Sequence, residues 1–344
     1  MKKITISKKA FKSILAITIG TTLTIGSISA SAQDVNSRII RFGYGLNQDS
    51  KQGRAVETFT QEVKRLSDGK FKVKSFANAL LGNEIQMQNA LIGGAQEMMI
   101  TSTSSLIGID KSFAIWDLPF MFKDGPEADK VLDGKFGQAM LDGLEKHGVV
   151  GLVYWENGFR DLTNSKRPIK TMDDLNSVKL RVMQNPMYLE LFNQMGANAI
   201  PMAFSELFTA LETGAVDGQE NPYSTIQSSK FYEVQKYLSQ THHVYRPWVM
   251  LISKPFWDKL SNDEKTIIKK AAVISREAER KDSREQAEKS LAFLKTKMEV
   301  NSIAPEEMDK MKASAKIVID AQAKELGQDL LDQFFAAIKE AKGK

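Results

Sequence analysis

The sequence has 344 residues, enough for two domains of ordinary size, and contains 47 basic and 42 acidic residues. Five lysines within the first 32 residues carry the whole positive excess, so the rest of the chain is close to neutral and its composition gives no reason to expect binding to nucleic acid or an anionic membrane. Because the chain has no cysteine, disulfides, thiolate chemistry and cysteine-based zinc sites are excluded.

The first 32 residues have the pattern of a secretory signal peptide. A basic start is followed by a short, weakly apolar stretch from Ile14 to Ile28 and by the small residues Ala30-Ser31-Ala32. The apolar stretch is too short and too polar for a transmembrane helix. We therefore predict cleavage after Ala32 and a periplasmic protein that is not itself embedded in the membrane; a cytoplasmic amphipathic start fits the pattern less well.

The next part of the chain alternates strands and helices. Hydrophobic periodicity predicts strands at Arg38–Tyr44, Phe71–Phe76 and Met98–Ile100, the last followed by the hydroxyl-rich segment Thr101–Ser105, and helices at Arg54–Leu66 and Glu84–Ile92. This β-α-β-α-β order predicts a doubly wound, largely parallel sheet.

A second round of elements follows a predicted domain crossing at Glu156-Asn157-Gly158. The spacing predicts helices at Pro126–His147, Pro186–Met195, Phe204–Glu212, Pro222–Leu238, Asp320–Leu330 and Gln333–Ala341, and strands at Val149–Trp155, Val178–Val182 and Val244–Ser253. Ser261 and Glu264 form a capping-box pattern that opens an unbroken helix to Met298. At 1.5 Å per residue this helix would be roughly 55 Å long, enough to brace two domains.

The sequence carries no recognisable catalytic or metal-binding motif. The three histidines are His147, His242 and His243, and adjacent residues on a strand point to opposite faces, which argues against a metal pair. There is no H-E-x-x-H, G-x-S-x-G, P-loop or G-x-G-x-x-G pattern. We therefore predict a protein that is not an enzyme and that uses no cofactor or metal.

Arg181 and Asn221 are the sharpest candidates for a binding site. They bracket one strand–helix–strand–helix–strand unit, and open α/β sheets bind ligands at the carboxyl ends of such strands. The planar fork of an arginine suits a carboxylate. Each residue also has an ordinary structural interpretation: Arg181 as one half of a surface ion pair, and Asn221 as a helix cap before Pro222.

The order of several segments resembles the TRAP-transporter solute-binding proteins of the dicarboxylate-binding (DctP-like) type. The matching segments are Asn157-Gly-Phe-Arg160, Lys179-Leu-Arg-Val-Met-Gln-Asn-Pro186, Gly196-Ala-Asn-Ala199, Pro201-Met-Ala-Phe-Ser-Glu-Leu207, Gly214-Ala-Val-Asp-Gly-Gln-Glu-Asn-Pro222, Asp117-Leu-Pro-Phe120 and Ile252-Ser-Lys-Pro-Phe-Trp257. The similarity covers essentially all of the chain after the signal peptide.

The resemblance implies an α/β periplasmic binding protein with two lobes, a hinge and a long helix, at about residues 262–298, that spans both lobes. We expect lobe I at residues 33–157 and 247–286, and lobe II at residues 158–246 and 287–344. In the family pattern Arg181 forms the salt bridge to the ligand carboxylate, Arg160 makes a second contact, Phe204 packs on the ligand and Asn221 donates to it. Looser candidates are Asn47, Gln48, Asp49, Asn78, Thr101, Ser102, Gln184 and Trp248.

The resulting hypothesis is a periplasmic receptor that captures a small organic acid, a C4-dicarboxylate or similar carboxylate, and delivers it to the membrane subunits of a TRAP transporter. Three alternatives remain at the level of the sequence. The ligand could be a sugar acid such as a hexuronate, the closed protein could signal to a membrane kinase, or the chain could be an exported hydrolase or isomerase.

Overall fold

The computed structural model describes residues 34–343, so the predicted signal peptide and its cleavage site lie outside the described residues. Within that range no helix is both long enough and apolar enough to cross a membrane. The described residues form one nine-stranded sheet and eleven α-helices.

The strands are β1 (Arg38–Gly43), β2 (Phe71–Phe76), β3 (Met98–Ser102), β4 (Val149–Asn164), β5 (Lys179–Val182), β6 (Asn198–Pro201), β7 (Gly218–Asn221), β8 (Tyr237–Ser253) and β9 (Glu299–Ser302). Their order across the sheet is β2-β1-β3-β8-β4-β7-β5-β6, with β9 paired to the far end of β8.

The helices are α1 (Lys51–Leu66), α2 (Glu84–Ile92), α3 (Gly125–Leu132), α4 (Lys135–Asp142), α5 (Pro186–Gln194), α6 (Phe204–Glu212), α7 (Tyr223–Ser228), α8 (Lys254–Trp257), α9 (Asn262–Leu294), α10 (Pro305–Leu326) and α11 (Gln328–Ala341).

The sheet is mixed, which corrects the prediction of a largely parallel one. Strands β2, β1 and β3 are mutually parallel and form a first group; β7, β5 and β6 are mutually parallel and form a second group. The long strands β8 and β4 lie between the groups, antiparallel to each other and to their outer neighbours β3 and β7. The two groups therefore run in opposite directions, and their carboxyl ends face each other across the middle of the sheet.

Strand β4 does not stop at Glu156-Asn157-Gly158, as the sequence pattern predicted, but continues to Asn164. Its pairing with β8 shifts register between Glu156 and Gly158, which marks a β-bulge. Gly158 has φ +102°, a conformation that other residues rarely adopt, so glycine suits this position. The pattern that predicted a break thus marks a bend inside a continuous strand.

The backbone groups around this bulge are bonded by two buried side chains. Lys51 Nζ donates to the carbonyl oxygens of Glu156 and Asn157, at 3.0 and 2.6 Å, and to Ser283 Oγ at 2.8 Å. Glu279 Oε2 accepts from the Glu156 amide at 2.7 Å. Polar backbone left over by the bulge is therefore satisfied by side chains from α1 and α9.

Helix α9 begins at the predicted capping box, in which Ser261 Oγ accepts from the Glu264 amide and the Glu264 carboxylate accepts from the Ser261 amide. It is 33 residues long and ends at Leu294, four residues before the predicted end. It packs along α1 beside the first strand group and along α7 beside the second. The prediction of one helix that braces both parts of the sheet is confirmed.

Four other helix predictions were wrong in extent. The segment Pro126–His147 is split into α3 and α4, because Gly134 adopts an extended backbone between them. The predicted helix Pro222–Leu238 is only the short α7, since Lys230 turns into a left-handed conformation and β8 begins at Tyr237. The C-terminal helices α10 and α11 start earlier than predicted, at Pro305 and at the residue after Gly327.

Candidate functional site

A cavity with an empty volume of about 430 Å³ lies where the carboxyl ends of the two strand groups meet. Its lining residues are Gly45, Leu46, Gln52, Glu84, Ser102, Asn157, Arg160, Arg181, Met183, Phe204, Asn221, Thr225 and Trp248. Ser102 and Asn221 are the last residues of β3 and β7, one from each group, as expected for ligand sites at the carboxyl ends of parallel strands.

Arg181 lies in β5 and is 1% exposed. Its Nε and Nη2 donate to the carbonyl oxygen of Met202, at 3.0 and 2.6 Å. Its Nη1 is buried and has no hydrogen-bond partner among residues 34–343. Burial lowers the pKa of Arg181 to about 10, partly opposed by the negative charges of Glu220 and Glu84, so the guanidinium remains charged at neutral pH. A buried donor with no acceptor is the feature expected of a site built for an anion.

Arg160, on β4, is committed to a buried ion pair. Its Nε and Nη2 bond the two carboxylate oxygens of Glu220, and His243 Nε2 lies 3.2 Å from Glu220 Oε2. Although burial alone would raise it, Arg160 and His243 hold the pKa of the Glu220 carboxyl far below its usual value. Arg160 therefore lines the cavity with a guanidinium group whose Nε and Nη2 donors are already bonded to Glu220.

A third buried arginine, Arg246, was missed by the sequence reasoning. Its guanidinium stacks 4.1 Å above the ring of Tyr188, and Nη2 lies 3.2 Å from Asp117 Oδ1. Asp117 also accepts from Asn185 Nδ2 at 2.6 Å, and burial raises the pKa of the Asp117 carboxyl. The available signal was a charge in the middle of the apolar strand VYRPWVML.

Glu84 was also missed. It is the first residue of α2, where the capping box between Asn83 and Gln86 fixes the start of the helix. Its side chain is half-buried and lines both the cavity and an adjoining cleft next to Arg181. Enclosure raises the pKa of the Glu84 carboxyl, opposed mainly by the charge of Arg181. A glutamate in the first turn of a helix is ordinary, so the sequence offered no signal for this position.

Neutral polar groups complete the lining. Asn157 Oδ1 and Thr225 Oγ1 are buried and, like Arg181 Nη1, have no hydrogen-bond partner within the described range. Gln52 Oε1 accepts from the Leu46 amide at 3.0 Å, and Asn221 Nδ2 donates to Gln219 Oε1. Buried polar atoms are almost always bonded to protein or water, so these atoms are open to a water molecule or to a polar ligand.

Two aromatic side chains form the apolar walls. Trp248, on β8, is 4% exposed, and Lys51 Nζ lies over its ring at 5.1 Å from the ring centre. Phe204 begins α6, is partly exposed, and packs with its ring centre 6.0 Å from that of Phe231. Together they give the cavity apolar surface beside its polar groups, as is usual for small-molecule sites.

Of the side chains selected from the sequence, Arg181, Arg160, Asn221, Phe204, Ser102 and Trp248 line one cavity. Gln184 borders the adjoining cleft next to Arg181 and an outer groove along α5, and Thr101 is buried with its hydroxyl 2.7 Å from Ser105 Oγ.

The loop after β1 does not bring the other selected residues into the cavity. Asn47 and Asn78 line a separate cleft on the far side of Phe204, where Asn47 Nδ2 donates to the Ser228 carbonyl at 2.7 Å. Gln48 and Asp49 are exposed and absent from the cavity lining. The loop folds into the N-terminal cap of α1, whose N-cap is Ser50, and so Leu46 and Gln52 face the cavity instead.

Within residues 34–343 no group of three or more histidine, aspartate or glutamate side chains is placed to hold a metal ion.

Comparison with known proteins gives a consistent result. Residues 42–325 match the family described as bacterial extracellular solute-binding protein, family 7. The chain is 37% identical over 270 residues to the 2,3-diketo-L-gulonate-binding periplasmic protein of Escherichia coli K12, a match that covers 78% of this chain and 82% of that protein.

Two solved structures illustrate the structural similarity. The sugar acid binding protein of Advenella mimigardefordensis, in complex with galactonate, superposes with a TM-score of 0.88 at 48% identity, covering 90% of this chain and all of that one. A TRAP periplasmic solute-binding protein of Sulfurospirillum deleyianum with bound succinate superposes with a TM-score of 0.84 at 30% identity, covering 88% and 100%. The predicted two-lobe α/β binding-protein fold is confirmed.

Proposed function

The chain belongs to family 7 of the bacterial extracellular solute-binding proteins, and from this premise we propose that its cavity captures one small organic acid, which the protein delivers to the membrane subunits of a TRAP transporter. The family, predicted from the sequence, is confirmed by the match over residues 42–325. Members of this family bind solutes for transport, and the present chain acts in the same way, as a carrier that releases its ligand unchanged.

One observation carries the proposal for the ligand: Arg181 Nη1, which has no hydrogen-bond partner among residues 34–343, belongs to a cavity that Phe204 and Trp248 also line. A carboxylate oxygen is the acceptor that best matches a buried guanidinium nitrogen. Arg181 is the anchor, and Asn221 and Ser102 contact the ligand from opposite strand groups. Arg160 contributes positive potential and, through Glu220, the rigidity of the second group.

The mechanism follows from the opposed strand groups. Both present their carboxyl ends to the cavity, so a ligand between them touches both lobes at once. We place the lobe boundary at the β4 bulge, where the chain bends between Glu156 and Gly158. Closing about this point removes the Arg181–carboxylate pair from water and strengthens it, and closure is therefore favoured only when an acid is present.

Isothermal titration calorimetry on residues 33–344 tests the binding role. We expect one site per chain for at least one small carboxylate, a rise in melting temperature with ligand concentration, and recovery of the ligand unaltered after prolonged incubation. Recovery of a chemically changed ligand, or the absence of binding across a broad panel of small carboxylates, would refute the proposal.

The transport role and the location need separate tests. Cells that produce the cognate TRAP membrane subunits should take up the ligand only when this protein is also present. The N-terminus of the protein recovered from the periplasm should be Gln33, as cleavage after Ala32 requires. Uptake that is independent of the protein would remove it from the pathway.

A further inference from the structure

We propose that the cavity selects an acid with a single carboxylate and several hydroxyl groups, of the aldonate or uronate kind, over dicarboxylates, and that Glu84 determines this choice. The inference rests on the proposed function, because it names the class of acid that the same cavity takes.

The first argument is the charge balance around the cavity. Arg160 pairs with Glu220, and Arg246 pairs with Asp117, in direct contacts. Arg181 forms no such contact among residues 34–343, but Glu84 and Glu220 are the carboxylates that act on it. Three guanidinium groups thus already face three carboxylates.

A ligand with one carboxylate adds one negative charge to this cluster and binds Arg181 Nη1, which lies on a residue of the cavity lining and has no hydrogen-bond partner among residues 34–343. The other cation of the cavity lining, Arg160, is already paired with Glu220, so a second ligand carboxylate would gain no free cation and would lie near Glu84. An uncompensated charge in a desolvated site is strongly unfavourable.

The second argument is the kind of hydrogen-bonding group left open. Asn157 Oδ1 is buried without a donor among the described residues, and an ionised Glu84 can only accept. A dicarboxylate without hydroxyl groups also offers only acceptors at neutral pH, so it would leave these atoms unbonded. Hydroxyl groups donate to both, and the Thr225 hydroxyl can bond to a further one.

The third argument is position. Glu84 lines both the main cavity and the adjoining cleft, and Arg181 and Phe204 do the same. A chain of hydroxylated carbons that extends from a carboxylate on Arg181 can therefore run past Glu84. The same geometry brings a terminal carboxylate of a longer diacid close to Glu84.

The test compares acids that differ in one group. Galactonate and galactarate share the same hydroxylated chain, and galactarate has a second carboxylate in place of the terminal hydroxymethyl group. We would measure dissociation constants by calorimetry for galactonate, D-erythronate, D-glucuronate and D-galacturonate, and for galactarate, succinate and L-malate. The tightest hydroxylated monocarboxylate should bind at least about tenfold more tightly than every dicarboxylate.

A Glu84→Gln variant tests the assignment of the residue. It keeps the size of the side chain and removes the negative charge, so the ratio of dicarboxylate to monocarboxylate affinity should rise by at least about tenfold. The matched control is Glu206→Gln, a glutamate in the first turn of α6 that is exposed and outside the cavity lining, which should leave the ratio unchanged.

The outcomes separate the two claims. If succinate, L-malate or galactarate binds the unmodified protein as tightly as the best monocarboxylate, the inference is wrong and the proposed function stands. If no carboxylate binds, the proposed function itself fails. If selectivity is present but Glu84→Gln leaves it intact, the assignment to Glu84 is wrong; this comparison needs the melting temperature of the variant to match that of the unmodified protein.

Discussion

Two arginines with the same 1% exposure should respond oppositely to the same substitution. Arg181→Met should weaken ligand binding by roughly two to four orders of magnitude and leave the fold nearly as stable as before. Arg160→Met should destabilise the fold. The contrast arises because Arg160 is bonded to a buried carboxylate, whereas Arg181 is bonded only to a carbonyl oxygen.

The magnitudes follow from the contacts. Loss of Arg181 leaves the ligand carboxylate unpaired in the closed cavity, which costs about 3–5 kcal/mol, or roughly two to four orders of magnitude in the dissociation constant. In the unliganded protein the lowered pKa of Arg181, about 10, means that its burial as a cation is unfavourable. Removing Arg181 relieves this unfavourable burial, which offsets the loss of its two hydrogen bonds to Met202. We therefore expect the free energy of unfolding to change by no more than about 2 kcal/mol. Removal of Arg160 leaves the buried Glu220 carboxylate without its paired cation and should lower the free energy of unfolding by about 3–5 kcal/mol.

The assay is urea unfolding of both variants without ligand, together with calorimetry of the Arg181 variant with the best ligand of the wild-type protein. If Arg181→Met binds within tenfold of the wild type, Arg181 is not the anchor. If the two variants lose equal stability, the distinction between a ligand-binding and a structural arginine is wrong.

Three further predictions concern the hinge and the long helix. Burial raises the pKa of Glu279 to about 8, so the stabilisation from this group is fully present below its unfolded pKa of about 4.5 and is lost as pH rises through about 8. The melting temperature should therefore fall between pH 5 and 8.5, and Glu279→Gln should reduce that fall. The control Glu277→Gln, at an exposed position, should leave the fall unchanged. Gly158→Ala should lower the free energy of unfolding in urea by about 1–2 kcal/mol. The loss would come from backbone strain alone, since an added Cβ would meet no atom closer than 3.9 Å. The control Gly108→Ala, in open space and without a positive φ, should leave the stability nearly unchanged. Ser261→Ala should remove the cap of α9 and cost about 1 kcal/mol, and Ser261→Asp should restore most of it; equal stability of all three proteins would contradict the role of the cap.

Elements with strong periodicity could be predicted from the sequence. Helix α6 and strand β2 have the predicted bounds, because an amphipathic stripe and an alternating strand each fix one element locally. The capping box likewise located the start of α9. Such signals depend only on neighbours in the chain.

The middle of the sheet could not be predicted, because its polar residues are buried by partners that are remote in sequence. Residues 156–164 contain Asn-Gly and several charges and have the composition of a turn, yet they continue β4. Arg160 is accommodated there only because Glu220, 60 positions away, pairs with it. Local composition therefore does not indicate that this segment is buried, because the partner of its charge is remote in sequence.

The site itself was predicted in part. Arg181, Asn221 and Phe204 were selected through the resemblance to a family, and they do line one cavity. Glu84, Asn157 and Thr225 carry no distinctive motif, and their importance comes from unpaired atoms or from charge neighbours that only three-dimensional packing creates. The loop at Gln48 and Asp49 was misjudged because the cap of α1 turns these two side chains outward.

The central position of β8 also has a consequence for how the chain folds. In the sheet, Met98 of β3 pairs with Ile252 of β8. Lys51, which bonds the carbonyl groups of the β4 bulge, also bonds Ser283, 232 positions away. The first strand group therefore has an open edge until nearly three quarters of the chain has emerged, and such edges promote association with other chains. Strand pairings between residues so far apart in the sequence form late and slow the folding of the chain. The chain should accordingly refold slowly, and fragments that end before Tyr237 should aggregate rather than form half of the protein.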